Sequence, residues 1–195
     1  MSQVPSGLEA PTLLIAMPRV LDPYFHRSVI LLLHHQEEGS VGFIVNKVTE
    51  IRVAEILQGM DVGWGGPSGA CAFYGGPVQP QLGSVLYGAP AFGLDELEGV
   101  EFMPGMAVTQ HVGDLEILAT DPPPLFRFLL GYAGWGEGQL VEEILRDDWL
   151  LAPVREDLVF GDDPATMWER ALRSVGVDPA ALPSWTPGSG ADDAN

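Results

Sequence analysis

A glycine-rich stretch that carries two aromatic residues, residues 131–140, constrains the fold of this chain more than any other feature. Its glycines are Gly131, Gly134, Gly136 and Gly138. Glycine permits a positive φ or a close approach between two backbones, whereas an indole is rarely left fully exposed. We therefore predict a compact turn that Trp135 and Tyr132 anchor in the core. A tight strand-to-helix connection with no further role explains the same pattern equally well.

The composition is that of one globular domain. The chain has 195 residues, of which 46% are hydrophobic, so it can bury a substantial core and does not belong to the disordered class. Its longest aliphatic run, residues 29–33, is far shorter than the about 20 residues that cross a bilayer, and the N-terminus lacks the order of a signal peptide. The single cysteine, Cys71, excludes an internal disulfide. We expect a cytoplasmic protein that makes no membrane contact.

The charge of the chain argues against direct binding of nucleic acid. There are 27 acidic residues and 9 basic ones, which gives a formal net charge of −18, and the only lysine is Lys47. Such a chain repels the phosphate backbone, which supplies most of the non-specific affinity for nucleic acid. Lysine and arginine form no cluster that would compensate. The acidity is otherwise compatible with a role in solubility alone.

Short apolar segments bounded by glycine, proline and polar residues predict strands. The predicted strands are residues 12–16, 27–34, 41–46, 70–74, 84–87, 106–110, 125–130 and 149–154. Five consecutive branched aliphatic residues in the second of these indicate a central strand that is covered on both faces. This strand and the next, joined by a short polar turn, are expected to form an antiparallel hairpin.

Capping signals and apolar periodicity predict three helices. The first covers residues 49–59 with Thr49 as its cap, the second covers residues 140–146, and the third runs from the Asp163–Pro164 pair to residue 175. Residues 115–119 are expected to form one or two helical turns, and residues 89–105 a loop. We predict a flexible N-terminus at residues 1–11, one domain at residues 12–185, and a disordered acidic tail at residues 186–195.

Three separated blocks of the sequence resemble the YqgE/AlgH family. The first block comprises residues 13–18, Asp22, Pro23, Phe25, Ser28, Val29 and His34, and is continued by Gly42 and Asn46. The second comprises residues 74–78, and the third residues 131–140, Glu143, Trp149, Leu150, Phe160 and Trp168. The resemblance extends from about residue 13 to residue 175. The chain departs from the family pattern at Leu86–Tyr87, where Leu-His is usual, and at the three prolines 122–124, where the family tends to continue a helix.

The resemblance implies a fold but no reaction. It implies a single α+β domain with a mixed, largely antiparallel sheet that is flanked by helices. Members of the family are called transcriptional regulators because of a genetic link to alginate control, and no biochemical activity is implied. A fold by itself supplies no function.

The residue types that carry chemistry do not form a recognisable catalytic pattern. The histidines are His26, His34, His35 and His111. Adjacent His34 and His35 would point to opposite faces of a strand, which is poor spacing for metal ligands. Cys71 lies in an apolar segment, where a thiol is inert, and the sequence has neither a nucleophile elbow nor a Walker loop. We therefore expect no metal site, no cofactor and no catalytic residue.

Two functional hypotheses remain open. The first is a non-enzymatic regulatory or adaptor protein that binds a protein or a small molecule. The second is a sensor or an enzyme with a pocket built from the three blocks. The residues that would line such a pocket are Asp22, Asn46, Tyr74, Gly75, Gly76, Trp135 and Gln139. For Asn46 we favour a role as a turn former over contact with a ligand. Convergence on one concave surface would favour the second hypothesis.

Overall fold

A sheet of ten strands forms the framework of the molecule, and helices pack on both of its faces. The structure is a computed structural model that describes residues 8–88, 97–161 and 163–183. The predicted acidic tail, residues 186–195, and residues 1–7 of the predicted flexible N-terminus lie outside the described residues, as do residues 89–96 of the predicted loop. Within the described residues, the predicted fold class, a single α+β domain, is confirmed.

The strands and helices follow in this order along the chain. The strands are β1 (Thr12–Ala16), β2 (Val29–Gln36), β3 (Gly39–Ile44), β4 (Val48–Arg52), β5 (Cys71–Tyr74), β6 (Val78–Gly88), β7 (Val100–Met103), β8 (Met106–Thr109), β9 (Phe126–Gly136) and β10 (Trp149–Ala152). The helices are α1 (Val53–Gln58), α2 (Val112–Thr120), α3 (Gln139–Leu145), α4 (Glu156–Val159) and α5 (Pro164–Ser174), and Pro179–Ala181 form a 3₁₀ turn.

Strand β9 is the strand around which the sheet is organised. The main path of the sheet is β10-β1-β2-β3-β9-β6-β8-β7. The second half of β9 pairs with β3 and its first half with β6, both antiparallel. Strand β5 pairs with β9 in parallel, with Phe73 opposite Leu129, and carries β4 on its other side. The sheet is therefore mixed but largely antiparallel, as the resemblance implied.

The predicted turn at residues 131–140 is wrong in its first half, which belongs to β9. The strand continues through Gly136, and only two residues separate it from the start of α3 at Gln139. The two aromatic residues do reach the interior. Trp135 is 6% exposed and lies among the side chains under α3, whereas Tyr132 packs on the opposite face. Residues that are three apart in a strand point to opposite faces of the sheet, which explains why Trp135 and Tyr132 are buried on different sides.

The predicted helix at residues 49–59 is wrong in its first half. Strand β4 covers Val48–Arg52 and pairs with β5, and α1 is limited to Val53–Gln58. Thr49 does not cap the helix, because α1 begins only at Val53, and the Thr49 hydroxyl donates a hydrogen bond of 2.7 Å to the carbonyl oxygen of Ala72 in β5. Pairing with a distant strand has overridden the local helical pattern.

Other elements differ in length from the prediction. Strand β6 begins six residues earlier than predicted, because a register shift between Val78 and Gly83, with a positive φ at Gln79, hides its alternation. Strand β7 lies within the predicted loop, and α4 was not predicted. Helix α5 and its cap are confirmed, since the Asp163 side chain accepts a hydrogen bond of 3.2 Å from the backbone N–H of Ala165. The β2–β3 hairpin is also confirmed.

Three apolar clusters hold the layers together. Helices α4 and α5 cover one face, where the cluster includes Leu13, Ile15, Val29, Leu31, Phe43, Leu158, Met167, Trp168 and Leu172. Helix α3 covers half of the other face, with Leu14, Ile30, Leu32, Ile44, Trp135, Leu140 and Trp149. Helices α1 and α2 cover the remaining half, with Val53, Leu57, Val85, Leu115, Leu118 and Phe128. The five consecutive aliphatic residues of β2 are explained by burial on both sides.

Candidate functional site

The first sequence block forms a turn over the α3 face of the sheet. A carboxylate oxygen of Asp22 accepts hydrogen bonds from the backbone N–H groups of Tyr24, at 2.8 Å, and Phe25, at 3.3 Å. The carbonyl oxygen of Asp22 also accepts a hydrogen bond from the N–H of His26, at 2.7 Å. Asp22 therefore organises the backbone of this turn, which is the role expected of an aspartate that precedes proline.

Two aromatic side chains connect the turn to the other two blocks. The ring of Tyr24 stacks on Tyr74, with 6.0 Å between the ring centroids. The ring of Phe25 lies 6.4 Å from that of Trp135 and 5.9 Å from that of Trp149. Aromatic pairs at these distances contribute stability beyond the area that they bury. The turn thus brings residues of all three blocks onto one side of the sheet.

A single carboxylate, that of Glu143 in α3, connects the side chains of the third block. One of its oxygens accepts hydrogen bonds from the indole N–H of Trp135, at 2.9 Å, and of Trp149, at 2.7 Å. The other oxygen accepts one from the amide of Gln139, at 2.9 Å. The amide oxygen of Gln139 in turn accepts a hydrogen bond from the N–H of Gly136, at 3.0 Å. The polar groups of Gln139 and Trp135 therefore have hydrogen-bond partners within the folded chain.

Glu143 belongs to the third block but was not predicted as a site residue. The signal that could have found it is its spacing, since Gln139 and Glu143 lie four residues apart on one helix face and can bond to each other. The two indoles were not predictable as its partners, because Trp135 and Trp149 lie on strands that meet only in the folded chain.

Asn46 connects the end of β3 to the start of β2. Its side-chain oxygen accepts a hydrogen bond of 2.8 Å from the N–H of Val29, and its side-chain nitrogen donates one of 2.9 Å to the carbonyl oxygen of Arg27. Arg27 has a φ of 51°, a conformation that is uncommon for a residue with a side chain. Asn46 thus holds a strained backbone in place with both halves of its amide.

Lys47 also stabilises the turn at Asp22 through hydrogen bonds to its backbone. Its ammonium group donates hydrogen bonds to the carbonyl oxygens of Pro23, at 3.1 Å, and Tyr24, at 2.7 Å. Burial lowers the pKa of the Lys47 ammonium below its usual value, and the nearby carboxylate of Asp22 offsets part of this effect. Lys47 was not among the predicted site residues, although its place beside Asn46 was the available signal.

Tyr74 carries a hydroxyl group that the described part of the fold leaves unused, as does Ser28 of the first block. The Tyr74 oxygen is buried and has no hydrogen-bond partner among the residues that the structure describes. Burial raises the pKa of this phenol, and the neighbouring Tyr24 and Asp22 raise it further. The group is therefore a neutral donor at physiological pH. A buried hydroxyl without a partner carries a desolvation cost of about 1–3 kcal/mol.

The glycine pair of the second block allows two backbones to cross. Gly75 donates a hydrogen bond of 2.8 Å to the carbonyl oxygen of Leu130 and accepts one of 2.8 Å from the N–H of Ile44. A Cβ atom at Gly75 would collide with the backbone of Gly131, and one at Gly76 with that of Tyr132. Gly131 itself has a φ of +70°, and a Cβ atom at this position would collide with the carbonyl oxygen of Gly76. These glycines allow the second and third blocks to pack without intervening side chains.

Within the described residues, contacts connect the predicted site residues in two groups. Asp22 and Tyr74 meet through Tyr24, while Trp135 and Gln139 meet through Glu143. A shallow depression of about 390 Å³ is lined by His34, Tyr132, Trp135 and their neighbours, and of the seven it includes only Trp135. The ligand-binding role of the seven residues stays a prediction.

A separate cavity lies between α1 and α2, away from the three blocks. Its volume is about 200 Å³, and strands β6, β8 and β9 contribute its floor. The side chains around it are mainly apolar, and none of the seven predicted site residues lines it. No sequence pattern predicted this cavity.

Metal-ligating residues are dispersed in the part of the chain that the structure describes. Within residues 8–88, 97–161 and 163–183, no group of three or more histidine, cysteine, aspartate or glutamate side chains is placed to hold a metal ion. Among the same residues, no helix has the length and apolarity that a bilayer-spanning segment requires.

Comparison with known proteins identifies the family. The family model described as AlgH-like matches residues 13–180. The chain belongs to the AlgH-like family. A relative from Myxococcus xanthus, a UPF0301 protein, is 40% identical over 174 residues, which cover 89% of this chain and 94% of the relative. Another UPF0301 protein, from Ruegeria pomeroyi, is 39% identical over 177 residues, which cover 87% of this chain and 93% of that protein.

Solved structures share the AlgH-like fold. The solution structure of the AlgH protein from Pseudomonas aeruginosa matches with a TM-score of 0.70 and 29% identity, over 91% of this chain and 94% of that one. A crystal structure of a protein from Corynebacterium diphtheriae matches with a TM-score of 0.69 over 84% of this chain and 85% of that one. Its identity of 22% makes it evidence for the fold alone.

Proposed function

We propose that this AlgH-like protein is a non-enzymatic regulatory adaptor, which acts in the cytoplasm by binding another protein and without direct contact with nucleic acid. The observation that carries the proposal is the use of the polar side chains in the three blocks. Asp22, Asn46 and Gln139 bond to the backbone of their own fold or to a neighbouring structural side chain. Side chains used in this way build a scaffold, whereas catalytic groups converge on a site that a substrate can enter.

The charge distribution supports the exclusion of nucleic acid. Arg19, Arg146, Arg155, Arg170 and Arg173 each lie within 3.4 Å of an aspartate or glutamate oxygen. These pairs reduce the positive potential that the few basic residues could offer to phosphates. A regulatory role for such a chain is exerted through a protein partner.

The adaptor proposal is tested by comparing nucleic-acid and protein binding of the full chain. We expect no change in the fluorescence anisotropy of labelled duplex DNA or single-stranded RNA at physiological salt. We expect a host protein that co-purifies with the chain to form a complex of fixed stoichiometry when both are mixed in pure form. Salt-sensitive binding of DNA at sub-micromolar protein would contradict the proposal, as would turnover of a substrate by the pure chain.

A small-molecule sensor is the second candidate, and the hydroxyl of Tyr74 is the observation that favours it. A ligand that accepts a hydrogen bond from this buried group would relieve its desolvation cost. Native mass spectrometry of the purified chain tests the idea. A retained small molecule that is lost in the Tyr74→Phe variant would favour the sensor, and an unliganded mass for both proteins would favour the adaptor.

A further inference from the structure

The cavity between α1 and α2 has the size of one large apolar side chain. Its volume is about 200 Å³, and its walls include Ile56, Leu82, Val85, Leu115 and Phe128. A cavity of about 150 Å³ with leucine, isoleucine and phenylalanine walls stays dry and binds benzene. The cavity in this protein therefore accommodates a phenyl ring or a branched aliphatic group.

The mouth of the cavity is exposed and combines two large apolar side chains with the polar side chains of Gln81, Gln110 and His111. Met60, which follows α1, and Val112, the first residue of α2, both line the cavity and are 44% and 55% exposed. Large apolar side chains that surround an opening mark a surface for interaction more often than isolated ones do. The apolar surface thus extends beyond the volume that a benzene-sized molecule would fill.

The elements around the cavity carry an excess of negative charge, although the exposed Arg52 directly precedes α1. The sequence contains no lysine or arginine between Arg52 and Arg127. Exposed carboxylates on or beside the elements that border the cavity are Glu55, Asp61, Glu98 and Glu116. Of these, Glu98 lies 2.9 Å from a ring nitrogen of His111, which lines the cavity. Such a border repels an anionic head group, for example a carboxylate or a phosphate, and attracts a cationic one.

We propose that the cavity binds one large apolar side chain from a basic peptide segment of a partner protein. The proposal rests on the adaptor function and names the chemistry of the partner. The apolar side chain fills the cavity, its neighbours cover Met60 and Val112, and flanking lysine or arginine residues face the carboxylates. A few side chains that fill desolvated pockets near the centre of an interface supply most of its binding energy.

The proposal is tested with a fluorescently labelled peptide that has one central phenylalanine flanked by lysines. Two matched peptides serve as controls, one with alanine for the phenylalanine and one with glutamate for the lysines. We expect each change to weaken binding about tenfold or more, because one removes the buried ring and the other the attraction. We also expect the affinity of the basic peptide to fall between about 50 and 500 mM salt.

Protein variants locate the binding on the surface. Met60→Lys places a like charge at the mouth and should weaken binding of the basic peptide about tenfold or more. Leu145→Lys is the matched control, since Leu145 is an exposed apolar residue of α3 that does not line the cavity, and it should change the affinity less than about twofold. Both positions are exposed, so circular dichroism and thermal unfolding should match the unmodified chain.

The outcomes separate this inference from the adaptor function. Amide shifts at Gly83, Val85 and Leu115 on addition of the basic peptide would support the cavity as its site. Shifts concentrated elsewhere, or equal or undetectable binding of the phenylalanine and alanine peptides, would overturn the inference alone. Retention of a small molecule that Met60→Lys releases, together with failure to bind any protein, would overturn the adaptor function as well. A dimer that Met60→Lys dissociates would assign the cavity to a second copy of the chain.

Discussion

Replacement of Trp135 by alanine should strongly destabilise the fold. The indole is 6% exposed, packs beside the rings of Phe25 and Trp149, and donates a hydrogen bond to Glu143. Emptying a buried aromatic site costs about 3–5 kcal/mol, which includes the cavity left behind. This is a large share of the about 5–15 kcal/mol that stabilises a domain. We therefore expect a clearly lower urea midpoint for Trp135→Ala.

Two further variants divide this cost into its parts. Trp135→Phe keeps an aromatic ring but removes the N–H donor, and Glu143 retains its bonds to Trp149 and Gln139. The cost of Trp135→Phe should be about 1–2 kcal/mol, which corresponds to one hydrogen bond and some lost volume. Leu145→Ala, at a position that is 65% exposed, should stay within about 0.5 kcal/mol of the unmodified chain.

Equilibrium unfolding in urea, followed by far-UV circular dichroism, measures all three variants. Linear extrapolation gives the free energy of unfolding, and an unchanged slope shows that the unfolded state is comparable. An unmoved midpoint for Trp135→Ala would refute the structural role of the indole. The third block would then have to be treated as a binding surface, and the search for a ligand would begin at Trp135.

Three other changes test the remaining features of the three blocks. Gly131→Ala should destabilise the fold by about 2 kcal/mol more than Gly138→Ala in thermal unfolding. Both glycines have a φ near +70°, but only at Gly131 would the new methyl group meet backbone atoms of another segment. Equal losses of stability in the two variants would contradict the close approach of the backbones. Asn46→Ala should lower the free energy of unfolding in urea by about 1–3 kcal/mol, since two backbone groups lose their hydrogen-bond partner. Gln58→Ala, at an exposed helix position, should leave this free energy nearly unchanged. The unmodified chain should lose stability relative to Tyr74→Phe above about pH 10, because the pKa of the Tyr74 phenol is raised in the folded state. The stability that this shift contributes is complete below the pKa of the unfolded chain and is lost as the pH rises through the pKa of the folded chain. A difference in melting temperature that stays constant from pH 7 to beyond pH 10 would argue against burial of the phenol.

Elements with complete local signals could be predicted from the sequence. The residues of β1 were predicted with their exact bounds, and the β2–β3 hairpin with small errors, since an aliphatic run and a polar turn are local features. The cap of α5 was predicted because Asp163 and Pro164 adjoin each other. The strand at the start of the predicted first helix was missed, because Thr49 bonds to a residue that lies far away in the sequence. A pattern of apolar residues does not show which distant strand will offer its hydrogen bonds.

The candidate site was predictable only where one residue acts on its immediate neighbours. The burial of Trp135 followed from residue type, and the Asp22–Pro23 pair is itself a local turn signal. The stack of Tyr24 on Tyr74, in contrast, depends on the packing of a loop against a strand. The cavity between α1 and α2 escaped prediction because its walls come from two helices and three strands. Its charge was nonetheless visible in the sequence, as the interval without lysine or arginine between Arg52 and Arg127. A long interval with charges of one sign therefore directs attention to the surface that it forms, even where no motif does.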